Sequence, residues 1–120
     1  MTDVRSLRKL KDIAREAQIC RGIAEHGFAA FMASDEQGVL RRRAAERSIE
    51  IIAEASKGVA PEVRDQYPEV PWRNIIAMRN FIIHDYGRID HGLVWNVIAV
   101  EIPKVAEVLG LPESLDPYAF

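Results

Sequence analysis

Residues 71–87 read PWRNIIAMRNFIIHDYG, and this stretch decides the fold. Pro71 suits the first turn of a helix, because the N–H it lacks would have no partner there. Gly87 can take the left-handed conformation that closes one. A helix is therefore expected over about residues 71–86. Seven of the ten residues from Ile75 to His84 are Ile, Ala, Met or Phe, so the helix is apolar nearly all the way round. Such a helix belongs in the centre of a bundle or at a subunit interface.

Arg79, Asn80 and His84 are its polar members. At about 100° per residue, Trp72, Ile76, Arg79, Ile83 and Tyr86 share one stripe roughly 80° wide, with Arg79 in its middle. A guanidinium cannot shed its charge there, so it needs a partner, a wet cleft or an anionic ligand. Glu50 or Glu54 of the preceding helix is one such partner, in a pair that would fix helix register. The other reading is a functional polar cluster. Asn80 and His84 lie four apart on one face, whereas Arg79 and His84 are separated by about 140° on an ideal helix. They meet on one substrate only if the Arg79 side chain curls round, the helix loosens near Gly87, or a second subunit completes the site.

Outward from this helix, every segment longer than ten residues has helical periodicity. A first helix spans about Val4 to Ala24, with Leu7, Leu10, Ala14, Ala17 and Ile23 recurring inward. Gly27 separates it from a short apolar piece, Phe28 to Ala33, and residues 34–38 form a polar turn with capping chemistry. A second long helix is expected over Val39 to Val59, with Leu40, Ala44, Ile51, Ile52, Ala55 and Val59 on its apolar side. Residues 61–71 carry three prolines and have room for one irregular turn. Asp90 can cap a last helix from His91 to Leu109, kinked by Pro103, which crowds the carbonyl of Ala99. The tail from about residue 111 reads as irregular. The expected fold is all-α, an antiparallel four-helix bundle with short additional helical segments.

The chain has 120 residues, 48% hydrophobic and 28% charged, which is the size and make-up of a single globular domain over residues 1–120. Its formal net charge of −2 excludes a whole-molecule basic field, although not a local basic patch. Cys20 is the only cysteine, so no internal disulfide can form, and its neighbours mark it as a small buried hydrophobe. With no signal-like or membrane-spanning apolar run, the expected location is cytoplasmic.

Arg79-Asn80-Phe81-Ile82-Ile83-His84-Asp85-Tyr86 resembles the RX4HXY signature of the HepT-like branch of the HEPN domains. Ile52-Ala53-Glu54-Ala55 resembles that branch's GEA segment, with Ala53 in place of the usual glycine. Tyr67-Pro68-Glu69-Val70-Pro71-Trp72 is similar to its lead-in, and Val94-Trp95 through Ile102-Pro103 to its final helix. The resemblance implies a helical ribonuclease that dimerises, with Arg79 and His84 as the catalytic pair and Asn80 as the polar position beside them. It also implies a place as the toxin of a type VII (HEPN/MNT) toxin–antitoxin system. There an MNT-type nucleotidyltransferase antitoxin adenylylates Tyr86, putting a bulky anion beside Arg79.

The residue chemistry suits that role. His84 titrates in the range for acid or base work near neutral pH, and Arg79 supplies planar donors that match phosphate oxygens. Arg41, Arg42, Arg43 and Arg47 form a basic cluster, and Arg5, Arg8, Lys9, Lys11 and Arg15 another along the first helix. Each is either a solvated face or a hold for the RNA backbone. His84-Asp85 and Asp90-His91 place four possible metal ligands near one turn, yet His26 is the only other histidine. Turn and capping roles account for both aspartates more simply, and no metal or cofactor is expected. The competing function is a non-catalytic HEPN module that uses the same groove to bind nucleotide, RNA or a nucleotidyltransferase.

Overall fold

Three aspartates start helices, each by the same device. The Asp3 carboxylate accepts from the Arg5 N–H (3.1 Å), Asp35 from Gly38 (2.9 Å) and Asp90 from Leu93 (3.1 Å), satisfying backbone donors that a helix leaves unpaired. The computed structural model describes residues 3–82 and 88–110, and every regular element among them is a helix. These are α1 (Val4–Glu25), α2 (Phe28–Phe31), α3 (Glu36–Lys57), α4 (Pro61–Arg64), α5 (Trp72–Ile82), α6 (His91–Asn96), a π-helical turn (Val97–Glu101) and α7 (Ile102–Leu109). The expected closure at Gly87 and the tail from residue 111 lie outside the described residues.

The long helix α3 packs against α1 on one side and α5 on the other, while α1 also meets the π turn and α7, and α6 returns to α5. That arrangement is the expected all-α bundle. Two bonds show α1 and α3 to be antiparallel. The Ser48 hydroxyl donates to the buried Glu16 carboxylate (3.0 Å), and the Ala60 N–H donates to the Ser6 hydroxyl (2.8 Å). Ser6 in turn donates to Asp3 (3.1 Å), so one hydroxyl ties the helix start to the far end of α3.

Several expectations are corrected in detail. Helix α3 begins at Glu36, three residues before Val39, because Asp35 is already a competent cap. Its inward face is Ala45, Ser48, Ile49, Ile52, Ala53, Ala55 and Ser56, whereas Leu40 is 52% exposed and Ala44 is also outside. The smaller Ala and Ser residues let α1 and α5 approach on both sides, so the buried arc does not follow the largest apolar residues. In α1, Ala14, Ala17 and Ile23 face inward as expected, but Leu7 is exposed and the inward position beside it is Ser6. Pro71 stands just before α5 rather than inside it, and its carbonyl accepts the first helical bond, from Ile75 (3.0 Å).

Pro103 produces the π turn in place of a plain kink. The Ile102 N–H reaches back five residues to the Val97 carbonyl, and this wider turn absorbs the ring that would otherwise crowd Ala99. Cys20 is fully buried as expected; desolvation, with Glu16 adding to it, pushes its thiol from 9.0 up to about 12 against the opposing Ser48 hydrogen bond. Residues 61–71 form one short turn, α4, and a loop clamped by the buried Trp72, whose indole N–H points at the carbonyls of Arg64 (3.2 Å) and Tyr67 (3.3 Å).

Gly38 is the tightest point of the framework. A Cβ built there would stand 2.0 Å from the Ala33 carbonyl oxygen and 2.7 Å from its carbon, both backbone atoms that cannot rotate away. Gly38→Ala is expected to lower stability by roughly 1–3 kcal/mol, as overpacking does. Gly22, with open space around it, should gain slightly as Ala. Thermal unfolding of the two variants beside the parent checks this, and equal melting temperatures for all three would contradict it.

Candidate functional site

Helix α5 buries Trp72, Ile75, Met78 and Ile82. On a helical wheel this arc is turned by about 70° from the stripe that the sequence suggested. Arg79 is therefore exposed at the edge of the packed face, not central to an apolar stripe, and Ile76 is only half-buried. Asn80 is exposed beside it. Among the described residues no ion pair joins Arg79 to Glu50 or Glu54. Glu50 pairs with Arg47 (3.3 Å) and Glu54 with Lys57 (3.1 Å). The register-fixing pair thus gives way to a guanidinium on an accessible helix edge. His84, Asp85 and Tyr86 lie outside the described residues, as does the separation between Arg79 and His84.

The chain re-enters at Arg88, and the Asp90 N–H donates to the Ile82 carbonyl (2.6 Å). This bond returns the backbone to the last turn of α5.

The basic cluster on α3 divides by role. Arg42 donates through Nη1 to the carbonyls of Phe31 and Ala33, both at 2.8 Å, and Arg41 reaches the Ala30 carbonyl at 3.4 Å. These arginines close the C-terminal end of α2, where carbonyls lack helical partners. Arg47 is engaged with Glu50, which leaves Arg43 as the exposed member without such a contact among the described residues. Arg43 lines a cavity of about 500 Å³ together with Arg42, Glu46, Arg88 and His91. Sequence reasoning missed Arg88 altogether and read His91 only as half of a weak metal pair. Neither carries a local signal; they reach Arg43 only because the 88–91 segment folds back over α3. The basic residues of α1 line a separate concavity of about 710 Å³ along that helix.

Among the described residues no group of three or more His, Cys, Asp and Glu side chains could hold a metal ion, and no helix is long and apolar enough to cross a membrane. A second groove, about 390 Å³, runs between α5 and the last helical stretch, with Met78, Phe81, Leu93, Val97 and Val105 along it. Phe81 is 60% exposed and Leu93 41%.

A helical bundle with a solvent-facing arginine and asparagine at the head of an RX4HXY segment defines the class of HEPN helical proteins. The chain belongs to the family described as Ribonuclease HepT-like, whose pattern matches residues 5–110. It is 39% identical over 64 residues to a Methanocaldococcus jannaschii protein named "Putative RNase MJ1380", a match covering 53% of this chain and 59% of that protein. It is 41% identical over 63 residues to "Putative RNase TTE0752" of Caldanaerobacter subterraneus, covering 52% and 56% respectively. With the "Probable ribonuclease HepT" of Thermococcus cleftensis it shares 37% over 59 residues, covering 49% and 54%. The chain thus spans between 54% and 59% of the length of these relatives. No solved structure matches it.

The split within the basic cluster has a direct consequence. Arg42→Ala should cost roughly 1–2 kcal/mol, because two carbonyls at the end of α2 lose a charged donor. Arg43→Ala should stay within about 0.5 kcal/mol of the parent. Urea unfolding followed by circular dichroism measures both, and an equal loss in the two variants would overturn the assignment.

Proposed function

We infer that this protein is a metal-independent endoribonuclease, the toxin of a type VII (HEPN/MNT) toxin–antitoxin pair that acts in the cytoplasm. One observation carries the reading: the HepT-like ribonuclease family matches nearly the whole chain, and the complete Arg79, Asn80, His84, Tyr86 motif lies within that match. The exposure of Arg79 supports it, since a guanidinium meant for a phosphate must remain accessible.

In this mechanism the 2′-hydroxyl of the RNA attacks the adjacent phosphorus, and the bond from phosphorus to the 5′ oxygen of the next nucleotide breaks. A 2′,3′-cyclic phosphate and a free 5′-hydroxyl result. His84 serves as acid or base, moving a proton from the attacking hydroxyl or to the leaving oxygen, a contribution of about 10²–10⁴-fold. Arg79 holds the non-bridging oxygens as charge builds on them, and Asn80 orients the imidazole or the phosphate. Silencing follows if a partner nucleotidyltransferase transfers AMP from ATP to the Tyr86 phenol with release of pyrophosphate, because the adenylate then occupies the place of the RNA phosphate.

The purified wild type should cut RNA in the presence of EDTA, and His84→Ala should lower the rate at least 100-fold. Product ends read as cyclic phosphate and 5′-hydroxyl complete the assignment. Intact mass, taken first, establishes whether Tyr86 already carries AMP. Unmodified wild type that leaves every RNA whole would replace this reading with the non-catalytic binding module.

The homodimer belongs to the same reading. The groove between α5 and the last helical stretch exposes Phe81 and Leu93, and a second copy seated there would cover both about a two-fold axis and pair the two α5 helices that carry the motifs. Leu93→Glu, outside the motif, should convert a dimer to a monomer by light scattering and depress cleavage along with it. A monomeric wild type that cleaves RNA would remove the dimer from the mechanism.

A further inference from the structure

The cavity between the N-terminal half of α3 and residues 88–91 is the strongest unassigned feature of the molecule. Three guanidinium groups, Arg42, Arg43 and Arg88, face one carboxylate, Glu46, across about 500 Å³. Arg42 commits Nη1 to the α2 carbonyls, and its Nε and Nη2 donors take no part in those bonds. Arg43 and Arg88 are exposed, and among the described residues neither has an ion pair. His91 also lines the cavity, and its Nδ1 is buried with no hydrogen-bond partner among the described residues. Three arginines gathered on one cavity form a site for a phosphate, which accepts from several planar donors at once.

The source of that phosphate follows from what else lines the cavity. Val39 and Ile89 are its apolar walls, and among the described residues no Phe, Tyr or Trp lines it to stack a base. A free nucleotide would find only the small His91 ring as a platform for its base, whereas a backbone phosphate of a polynucleotide needs none. Position points the same way. Arg88 is four residues beyond His84, so their Cα atoms lie within roughly 14 Å of one another by chain length alone. The Asp90–Ile82 bond then fixes the cavity wall to the end of α5, the helix that carries Arg79.

We propose that this cavity is a subsite for an RNA backbone phosphate flanking the bond that is cut, held by Arg43 and Arg88 with Arg42 and His91 behind them. The assignment rests on the ribonuclease reading for its substrate, but its test does not require cleavage.

Binding is measured by fluorescence anisotropy of a 2′-O-methyl oligonucleotide, which lacks the attacking hydroxyl, across a salt series. The double variant Arg43→Gln/Arg88→Gln is compared with wild type and with Arg73→Gln/Lys104→Gln, which removes the same charge from exposed positions elsewhere. Arg43→Gln/Arg88→Gln should raise Kd about tenfold and make the slope of log K against log salt shallower by about 0.7, one phosphate contact on a single strand. The charge-matched variant should do much less. Unchanged binding in the cavity variant, or equal weakening in both, overturns the subsite. A cavity that loses AMP binding while oligonucleotide binding stands is a mononucleotide pocket, which also overturns it. Cleavage of unmodified RNA by the same wild-type preparation reports separately on the ribonuclease reading. There the cavity variant should raise KM on a long substrate more than on a dinucleotide, which has no flanking phosphate.

Discussion

The contact of Gly38 with the Ala33 carbonyl is the constraint on which the arrangement of the site depends. With no Cβ at residue 38, the first turn of α3 settles directly onto the end of α2. That seating brings Arg42, one turn further along, under the carbonyls of Phe31 and Ala33, where it closes the shorter helix. Arg43 follows on the adjacent face and is turned toward the 88–91 segment. Phe31 and Phe28 meanwhile pack against Trp95 of α6 in tilted and edge-on contacts, at ring-centroid distances of 5.4 and 5.5 Å, which ties α2 to the last helical stretch. A bulkier residue 38 would push α3 away from α2 and so displace the arginines that depend on the approach.

The fold was legible in the sequence where local chemistry and burial agree. Asp90 starts a helix, Pro103 marks a departure from the α-helical ladder, and Cys20 with Ala14 and Ala17 faces inward. It was less legible where the buried arc is set by close approach. Leu40 looks like core on a helical wheel, yet the neighbours of α3 pack against Ala45, Ala53 and Ala55, and Leu40 is left outside. Apolar size predicts burial only where there is a wide gap to fill. Between three closely packed helices, small residues win.

The same reasoning explains Arg79. A wheel centred on the most apolar residues of α5 places this guanidinium in an apolar stripe and makes it look strained. The bundle instead takes Trp72, Ile75, Met78 and Ile82, and the arc turns until Arg79 is at its edge. The arginine then needs no buried partner, and Glu50 and Glu54 form their pairs within α3. The candidate residues themselves came from the motif order, which survives any rotation of the helix. Arg88 and His91 had no such order to reveal them; only the fold-back sealed by the Asp90–Ile82 bond sets them opposite Arg43.

A protein with a net charge of −2 can still attract a polyanion, because net charge is a poor guide at short range. At physiological salt the Debye length is about 8 Å, so exposed charges further apart than this hardly feel one another. Four acidic residues are neutralised locally in pairs along single helices: Asp12 with Arg15 at 3.1 Å, Glu25 with Arg21 at 3.6 Å, Glu50 with Arg47 and Glu54 with Lys57. Each such exposed pair adds little stability, but each removes a source of repulsion for incoming RNA. The guanidinium groups of Arg43, Arg79 and Arg88 have no ion pair among the described residues, and Arg43 and Arg88 line one cavity. What an approaching phosphate meets at that cavity is a local excess of positive charge, three arginines to one glutamate, whatever the net charge of the whole chain.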